Sequence, residues 1–180
     1  RWLLAAAFIF CEVIMLFIPT IKLPRVTDIS LEILNKYNIT ALILDVDNTL
    51  STHHGQVLTD GLEEWLETMK NAGIKLTVLS NSNSKRLTPF ANKIGLDFIS
   101  LGLKPLPFGY LRALKRLGTS KKNSAIVGDQ IFTDVLGGNL IGLNTILLTP
   151  IKPETSLRFR MKRRVERFLI KKLNIKDLEV

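Results

Sequence analysis

The chain has 180 residues, a length typical of one domain with a sizeable core, and its hydrophobic fraction of 46% is ordinary for a globular protein. The formal net charge of +9 at pH 7 indicates a polyanionic partner without identifying it. The single cysteine, Cys11, excludes an internal disulfide, and no Cys/His cluster predicts a zinc site. Cys11 lies in an apolar run, which favours a packed side chain over a nucleophile.

The chain begins with an apolar segment, Trp2 to Ile18, that is broken by a single charged residue, Glu12. As a helix it would be about 25 Å long, shorter than the roughly 30 Å hydrocarbon core of a bilayer. It also lacks the basic start and the cleavage site of a signal peptide. We expect residues 1–24 to form a separate segment lying in a membrane interface. The alternatives are a helix covering the sheet, or a stretch that does not belong to the natural start.

The first predicted strand, residues 41–44, is apolar throughout and ends at two carboxylates, Asp45 and Asp47, followed by Thr49. In open α/β sheets, ligands bind beyond the carboxyl ends of strands. Two acids in such a place can carry out the two tasks of phosphoryl transfer: one attacks phosphorus and the other transfers a proton. The alternative is a solvated acidic loop. His53 and His54 follow in this loop, and their adjacency favours a solvated or flap role over metal ligation.

Strands and helices then alternate along the chain. We predict one helix that starts at residue 62 and is closed by Gly73, one over residues 85–94 that stops at Gly95, one over residues 107–117 that ends at Gly118, and one over residues 135–141. Strands are predicted over residues 75–79, 97–100, 125–127 and 145–148. This alternation favours a single Rossmann-like parallel sheet with helices on both faces, occupying residues 25–150.

Polar residues follow the later strands as well. Ser80 and Asn81 end the second strand, where a hydroxyl beside the amides of the next helix is a good ligand for phosphate oxygens. Lys104 precedes a proline and can neutralise phosphate charge. A second acid pair, Asp129 and Asp134, follows Gly128 after the fourth strand. Such hard oxygen ligands suit Mg²⁺, which is usually held by one or two carboxylates together with phosphate and water.

These four segments, in this order, resemble the signature motifs of the haloacid dehalogenase (HAD) superfamily of aspartate-nucleophile phosphatases. The resemblance covers about residues 40–149 and implies that Asp45 is the nucleophile and Asp47 the general acid/base. It implies that Thr49, Ser80, Asn81 and Lys104 bind the substrate phosphate. Asp45, Asp129 and the Asp47 carbonyl would hold Mg²⁺, supported by Asp134 and Gly128.

The pattern Gly-Asp-Gln-x-x-Thr-Asp at residues 128–134, with Gly137-Gly138-Asn139 after it, resembles a narrower branch, the capless IIIA type. That branch includes the phosphatidylglycerophosphate phosphatases of bacteria and mitochondria. About thirty residues separate Thr49 from Ser80, and about two dozen separate Ser80 from Lys104. Neither gap can hold a folded cap domain, so we expect an open site that suits a large substrate.

The last segment, residues 151–180, is basic and amphipathic. Leu157, Met161, Val165 and Phe168 recur at helical spacing. A cationic amphipathic helix binds anionic lipid with about 1 kcal/mol per basic residue near the surface. We therefore expect Arg160, Arg163, Arg164 and Arg167 to serve lipid binding and to be dispensable for hydrolysis of a small soluble ester. The alternatives are a helix packed on the sheet by its apolar stripe, and a nucleic-acid surface, although no nucleic-acid module is recognisable.

Together these features predict a Mg²⁺-dependent phosphomonoester hydrolase acting through an aspartyl-phosphate. We expect phosphatidylglycerophosphate as the substrate, and an intracellular, peripheral location on the cytoplasmic face or the mitochondrial matrix side of a membrane. The first alternative is a phosphatase acting on RNA, a ribosome-associated factor or a phosphoprotein. The second is a phosphate-binding module without turnover, against which the intact Asp45 and Asp47 pair argues.

Overall fold

A computed structural model of the chain describes residues 12–52, 57–152 and 157–178. Six strands form one sheet, β1 (Ile21–Leu23), β2 (Ala41–Leu44), β3 (Lys75–Leu79), β4 (Phe98–Ile99), β5 (Ser124–Gly128) and β6 (Asn144–Leu148). Their order across the sheet is β1-β6-β5-β2-β3-β4, and all the neighbouring strands are parallel. The predicted parallel α/β fold is confirmed.

The helices that lie wholly within the described residues are α1 (Leu31–Lys36), α2 (Leu62–Asn71), α3 (Ser84–Ile94), α4 (Pro107–Leu117), α5 (Leu136–Ile141) and α6 (Leu157–Lys172). Short 3₁₀ turns occupy Val26–Asp28 and Lys121–Asn123, and a π-helical turn, Ile131–Val135, leads into α5. Glycines at positive φ, Gly95 and Gly118, end α3 and α4 as their sequence positions predicted.

The sheet is buried on both faces, which explains why its central strand β2 is apolar throughout. Leu42 and Leu44 of β2 join one core cluster with side chains of α1, α2 and α3. Ala41 and Ile43, which point the opposite way, join a second cluster with α4. Between Asp47 and Ser80 the described chain adds α2 and β3, and between Ser80 and Lys104 it adds α3 and the short β4.

The edge strand β1 lies outside the predicted pattern. Ile21–Leu23 pairs with β6 in the register Ile21 to Ile146. The separate segment predicted for residues 1–24 is therefore wrong at its end, because residues 21–23 belong to the sheet. Most of the apolar segment, together with Cys11, His53 and His54, lies outside the described residues. Within the described ranges, no helix combines the length and the apolar character needed to cross a bilayer.

The C-terminal helix α6 is present as predicted, but its apolar stripe does not pack on the sheet. Leu157, Met161, Val165 and Phe168 are all exposed. The side of α6 that faces the domain carries Glu166, which is buried, and Leu169 and Ile170, which are partly buried. The packing alternative based on the apolar stripe is therefore wrong.

Candidate active site

The site is built around Asp45, the first residue after the central strand β2. From β2 the chain continues to β3 on one side, whereas from β5, the neighbour of β2 on the other side, it continues to β6 in the opposite direction. This arrangement opens a crevice at the carboxyl end of the strand, where α/β proteins bind ligands. The Asp45 amide donates to the Val127 carbonyl at 2.9 Å, which continues the sheet pairing and directs the buried carboxylate into this crevice.

Lys104 connects two of the carboxylates that the sequence singled out. Its buried Nζ donates to Asp45 Oδ1 at 2.5 Å and to Asp134 Oδ1 at 2.6 Å. Asn81 fixes the backbone of this lysine, since Asn81 Oδ1 accepts from the Lys104 amide at 2.7 Å and Asn81 Nδ2 donates to its carbonyl at 3.1 Å. The phosphate contact expected of Asn81 stays a prediction, and the structure adds a positioning role.

Asp129 and Asp134 lie close to Asp45. One carboxylate oxygen from each of the three residues lies within 4.8 Å of the others, and all three residues are buried. Gly128 allows this approach, because a Cβ atom there would lie 2.3 Å from Asp134 Cγ. Only a glycine therefore fits beside the Asp134 carboxylate.

Burial dominates the electrostatics of these groups. It raises the pKa of Asp45 to about 6, with Lys104 opposing the shift and Asp134 adding to it. Burial also raises the pKa of Asp129 well above its ordinary value, although Arg163 opposes this. Burial alone would lower the pKa of Lys104, but the carboxylates of Asp134 and Asp45 outweigh it and raise that pKa. Without a metal, the negative charge of the three carboxylates therefore exceeds the positive charge of Lys104 and Arg163 beside them.

This acidic cluster fits a divalent cation. Asp129 Oδ1 is buried and has no hydrogen-bond partner among the described residues. Burying a carboxylate oxygen without a hydrogen-bond partner costs free energy unless a bound group interacts with that oxygen. Hard oxygen donors of this kind match Mg²⁺. Asp45 and Asp129 could therefore hold the ion, and Asp134 belongs to the same cluster.

Asp47 faces the same cavity and forms an ion pair with Arg86. Arg86 lies in the first turn of α3 and also donates to Ser82 Oγ at 2.7 Å. Arg86 was not among the residues predicted from the sequence. Its signal was its position, three residues after the Asn83 N-cap of the helix that follows β3.

The two predicted hydroxyl ligands lie near these groups. Ser80 is buried, lines the cavity with Asp45 and Lys104, and accepts from the Ser82 amide at 3.1 Å through its Oγ. Thr49 is buried as well, and its Oγ1 has no hydrogen-bond partner among the described residues. Their contact with phosphate stays a prediction.

Helix α6 also contributes to the site. Arg163 forms an ion pair with Asp129, donates to the Asp129 carbonyl at 2.6 Å and pairs with Glu166 at 2.9 Å. Lys162 lines the catalytic cavity and donates to Gln130 Oε1 at 2.5 Å. Arg163 therefore contacts a predicted metal ligand, although it lies far along the chain from Asp45; its expected dispensability for hydrolysis of a small ester stays a prediction. Sequence spacing could not show this contact, because more than thirty residues separate Arg163 from Asp129.

Comparisons with known proteins agree with this geometry. Residues 32–142 match the family of haloacid dehalogenase-like hydrolases. The probable phosphatase YqeG of Bacillus subtilis is 36% identical over 160 residues, covering 89% of this chain and 93% of that protein. The chloroplastic/mitochondrial phosphatidylglycerophosphate phosphatase 1 of Arabidopsis thaliana is 26% identical over 173 residues, covering 90% of this chain but 49% of that protein.

A solved structure of an uncharacterized protein from Listeria monocytogenes shares the fold. Its TM-score is 0.53 at 23% identity, and the match covers 66% of this chain and 85% of that one. The resemblance first seen in the four motifs is confirmed by the family match and by the parallel sheet that places those motifs together. This chain belongs to the haloacid dehalogenase-like hydrolases.

Proposed function

We propose that this protein is a Mg²⁺-dependent phosphomonoester hydrolase that forms an aspartyl-phosphate on Asp45. The observation that carries the proposal is the buried group of Asp45, Asp129 and Asp134 around Lys104, at the carboxyl end of the central strand. Asp47, two residues further along, supplies a second carboxylate at the same cavity. The relationship to a probable phosphatase supports the same reaction class.

In the first half of the reaction, a carboxylate oxygen of Asp45 attacks phosphorus and the ester P–O bond breaks. The leaving alcohol takes a proton from Asp47. In the second half, water attacks the phosphorus of the aspartyl-phosphate and gives its proton to Asp47, which releases phosphate and restores Asp45. Lys104 orients Asp45 and offsets charge on the phosphoryl oxygens, and Ser80 offers them a hydroxyl.

Mg²⁺, when bound by Asp45, Asp129 and the Asp47 carbonyl, would screen the repulsion between the carboxylate nucleophile and the anionic phosphate. Asp134 shares the acidic cluster and holds Lys104. The buried Asp129 oxygen without a partner supports this assignment.

For the substrate we favour phosphatidylglycerophosphate. Three features support it: the relationship to a phosphatidylglycerophosphate phosphatase, the motif pattern at residues 128–134, and the absence of a folded insertion over the site within the described residues. The basic surface of α6 suits an anionic lipid and agrees with a peripheral location on a membrane.

The test measures phosphate release with Mg²⁺ from phosphatidylglycerophosphate in micelles, a nucleotide, a 5′-phosphorylated RNA, a phosphopeptide and a small soluble ester. Asp45→Asn should lower turnover of every substrate on the order of a thousandfold or more, because it removes the nucleophile. Asp60→Asn makes the same change at an exposed residue and should behave as wild type. Asp47→Asn should slow both halves, so that a phosphoenzyme accumulates and is detected by intact mass.

Retained turnover in Asp45→Asn would refute the covalent mechanism. Preference for the RNA or the phosphopeptide would refute the lipid assignment and leave the reaction class standing. Phosphate binding without release by the wild-type protein would instead establish a non-catalytic phosphate-binding module.

A further inference from the structure

We propose that the outward face of α6 and the exposed loop between β4 and α4 together form a docking surface for an anionic lipid bilayer, with the catalytic cavity between them. The biological role of this surface rests on the proposed function, but the observations that support the surface do not involve catalysis. The sequence pattern alone predicted neither the division of α6 into an outward and an inward face nor the second contact at the loop.

The outward face of α6 carries an apolar stripe exposed to solvent. Leu157, Met161, Val165 and Phe168 have between 49% and 74% of their surface accessible. At 3.6 residues per turn, they lie on one side of the helix, one above another. A soluble domain rarely leaves four large apolar side chains of one helix face in water without a partner.

Basic residues accompany this stripe. Helix α6 contains eight basic residues and one acidic residue, Glu166, which is buried on the inward side. Among those whose exposure the structure describes, five are exposed, namely Arg160, Arg164, Arg167, Lys171 and Lys172. The outward face is therefore apolar along its centre and cationic at its edge, the arrangement of a helix lying in the headgroup region of an anionic bilayer.

A groove adjoins this cationic edge. It has a volume of about 700 Å³ and lies between α6 and the ends of β1 and β6. Leu147, Leu148 and Pro150 contribute to its apolar wall, and Lys22, Arg160 and Arg164 to its basic rim. Apolar surface next to a row of cations thus continues from α6 onto the body of the domain.

The inward side of α6 fixes the helix to the catalytic region. Arg163 pairs with Asp129, Glu166 accepts from the Phe132 amide at 3.3 Å, and Lys162 reaches Gln130. All three partners follow the carboxyl end of β5. Binding of the outward face to a bilayer would therefore hold the rim of the cavity near the headgroups.

The second contact lies on the other side of the site. Leu101, Leu103, Leu106 and Phe108 are more than half exposed, in the loop that carries Lys104 and in the start of α4. Hydrogen bonds fix this loop to the catalytic segment after β3, from the Leu101 amide to the Ser82 carbonyl and from the Gly102 amide to the Ser80 carbonyl, both at 2.9 Å. The strand order places β4 and β5 on opposite sides of β2, so the loop and α6 flank Asp45.

The chemistry of these surfaces favours a bilayer over other polyanions. Nucleic acid would be bound by the cations but makes no use of exposed Leu, Met and Val side chains. A second copy of this chain would bring the same positive charge to the contact. A bilayer containing anionic lipid takes up both the charge and the apolar side chains, and one flat surface can reach both flanks of the site.

The first test uses the full chain and sedimentation with two kinds of vesicle, phosphatidylcholine alone and phosphatidylcholine mixed with phosphatidylglycerol. Wild type should bind the mixed vesicles. The triple variant Arg160→Gln, Arg164→Gln, Arg167→Gln should bind them roughly a hundredfold more weakly at low salt, at about a fivefold factor for each charge. This difference should shrink as salt rises, because screening weakens the attraction. Arg163 is left intact in this variant, because it contacts Asp129.

The matched control is Lys115→Gln, Lys121→Gln, Lys122→Gln. It removes the same number of positive charges at the end of α4 and in the turn before β5, beside the amino end of that strand. Its vesicle binding should be close to wild type. If the two triple variants lose binding equally, net charge alone causes binding and the docking surface is refuted.

Single changes test the apolar part. Phe168→Ser on α6 and Phe108→Ser at the loop should each weaken binding about tenfold with little dependence on salt, since burial of apolar surface is not screened. Leu140→Ser, an exposed apolar residue at the end of α5, is the control and should bind as wild type. If both phenylalanine variants bound vesicles as strongly as wild type, the apolar contact would be refuted.

Turnover of a soluble phosphate ester separates this proposal from the proposed function. The α6 triple variant should retain wild-type turnover. Vesicle binding without hydrolysis by the wild-type protein would leave the docking surface standing and refute the phosphatase. Absence of wild-type vesicle binding would refute the docking surface, and so would a dimer that buries the Phe108 and Phe168 faces, or RNA binding in place of vesicle binding.

Discussion

Asp45 combines two properties that oppose each other: it must be ionised to attack phosphorus, and it is buried. Burial raises its pKa from 3.8 to about 6, so the folded metal-free protein keeps a proton that the unfolded chain releases. Its contribution to stability is therefore fully present below about pH 3.8 and is lost as the pH rises through about 6. Asp129 shifts in the same direction.

The first prediction follows from this linkage. In chelator, wild type should lose stability between pH 4.5 and 7.5, and Asp45→Asn should lose less, because its amide needs no proton. At pH 7.5 the variant should be more stable than wild type by on the order of 1 to 3 kcal/mol, measured by urea unfolding. Asp60→Asn should follow the wild-type profile. Parallel profiles for wild type and Asp45→Asn would contradict the raised pKa of Asp45.

Gly128 supports the second prediction. A methyl group there would overlap the Asp134 carboxylate, whose Oδ2 lies 2.4 Å from the ideal Cβ position. Gly128→Ala should move Asp134 away from Lys104, cost about 1 to 3 kcal/mol and lower turnover on the order of tenfold or more. Gly118→Ala strains a residue at φ +58 far from the site, at a cost of about 1 to 2 kcal/mol. Equal turnover losses in the two variants would mean that stability alone explains the effect.

At the residue scale, strand ends made the site predictable. Asp45, Ser80 and Asp129 directly follow apolar strands, and the carboxyl ends of parallel strands meet at one edge of a sheet. Arg86, Lys162 and Arg163 were not predicted, because their contacts depend on how helices pack onto that edge. The two contacts of Asn81 with the Lys104 backbone also lay beyond any local pattern.

At the scale of the helix, α6 shows why an amphipathic pattern does not determine packing. The apolar stripe predicted either a lipid contact or a sheet contact, and the structure turns it outward. An ion pair to Asp129 and partly buried Leu169 and Ile170 hold the inward side. The sequence pattern could not show that the ion pair between Arg163 and Asp129 would determine which side of α6 faces the domain.

The third prediction tests the position of Arg163. Because its guanidinium shares Asp129 with the proposed metal, Arg163→Gln should remove a like charge and tighten Mg²⁺ binding by ~10-fold, measured by calorimetry. Arg164→Gln removes the same charge from the exposed neighbour and should change Mg²⁺ affinity little. Weaker Mg²⁺ binding in Arg163→Gln would show that the arginine orients Asp129 for the ion instead of competing with it.

At the scale of the whole molecule, we expect the sheet to fold without the metal. Strands β2, β3, β5 and β6 carry the two main cores, and the acidic cluster lies beyond their ends. All five predicted strands are present in the sheet, and four of them could be derived from runs of three to five mostly apolar residues. Strand β1 could not, because three residues with Lys22 at the centre carry no such pattern.

The fourth prediction concerns metal removal. Chelator should abolish phosphate release while circular dichroism keeps its folded signal, and Mg²⁺ should raise the melting temperature, since it binds only the folded site. Ca²⁺ should restore little turnover, because its larger and looser coordination misplaces Asp45. Asp129→Asn should lose most of the Mg²⁺-induced rise, whereas Asp60→Asn should keep it. Unfolding in chelator would contradict a substrate-site metal.

The pairing of β1 with β6 has a consequence for synthesis of the chain. Ile21 leaves the ribosome early, but its partner Ile146 follows 125 residues later. The interior strands β2, β3 and β5 can associate while β1 is still without its neighbour, and α6 emerges after all of them. A nascent chain would thus hold Asp45, Lys104 and Asp134 together before Arg163 reaches Asp129. The catalytic centre assembles from the inside of the sheet outwards, and the residues that join it to the proposed lipid surface arrive last.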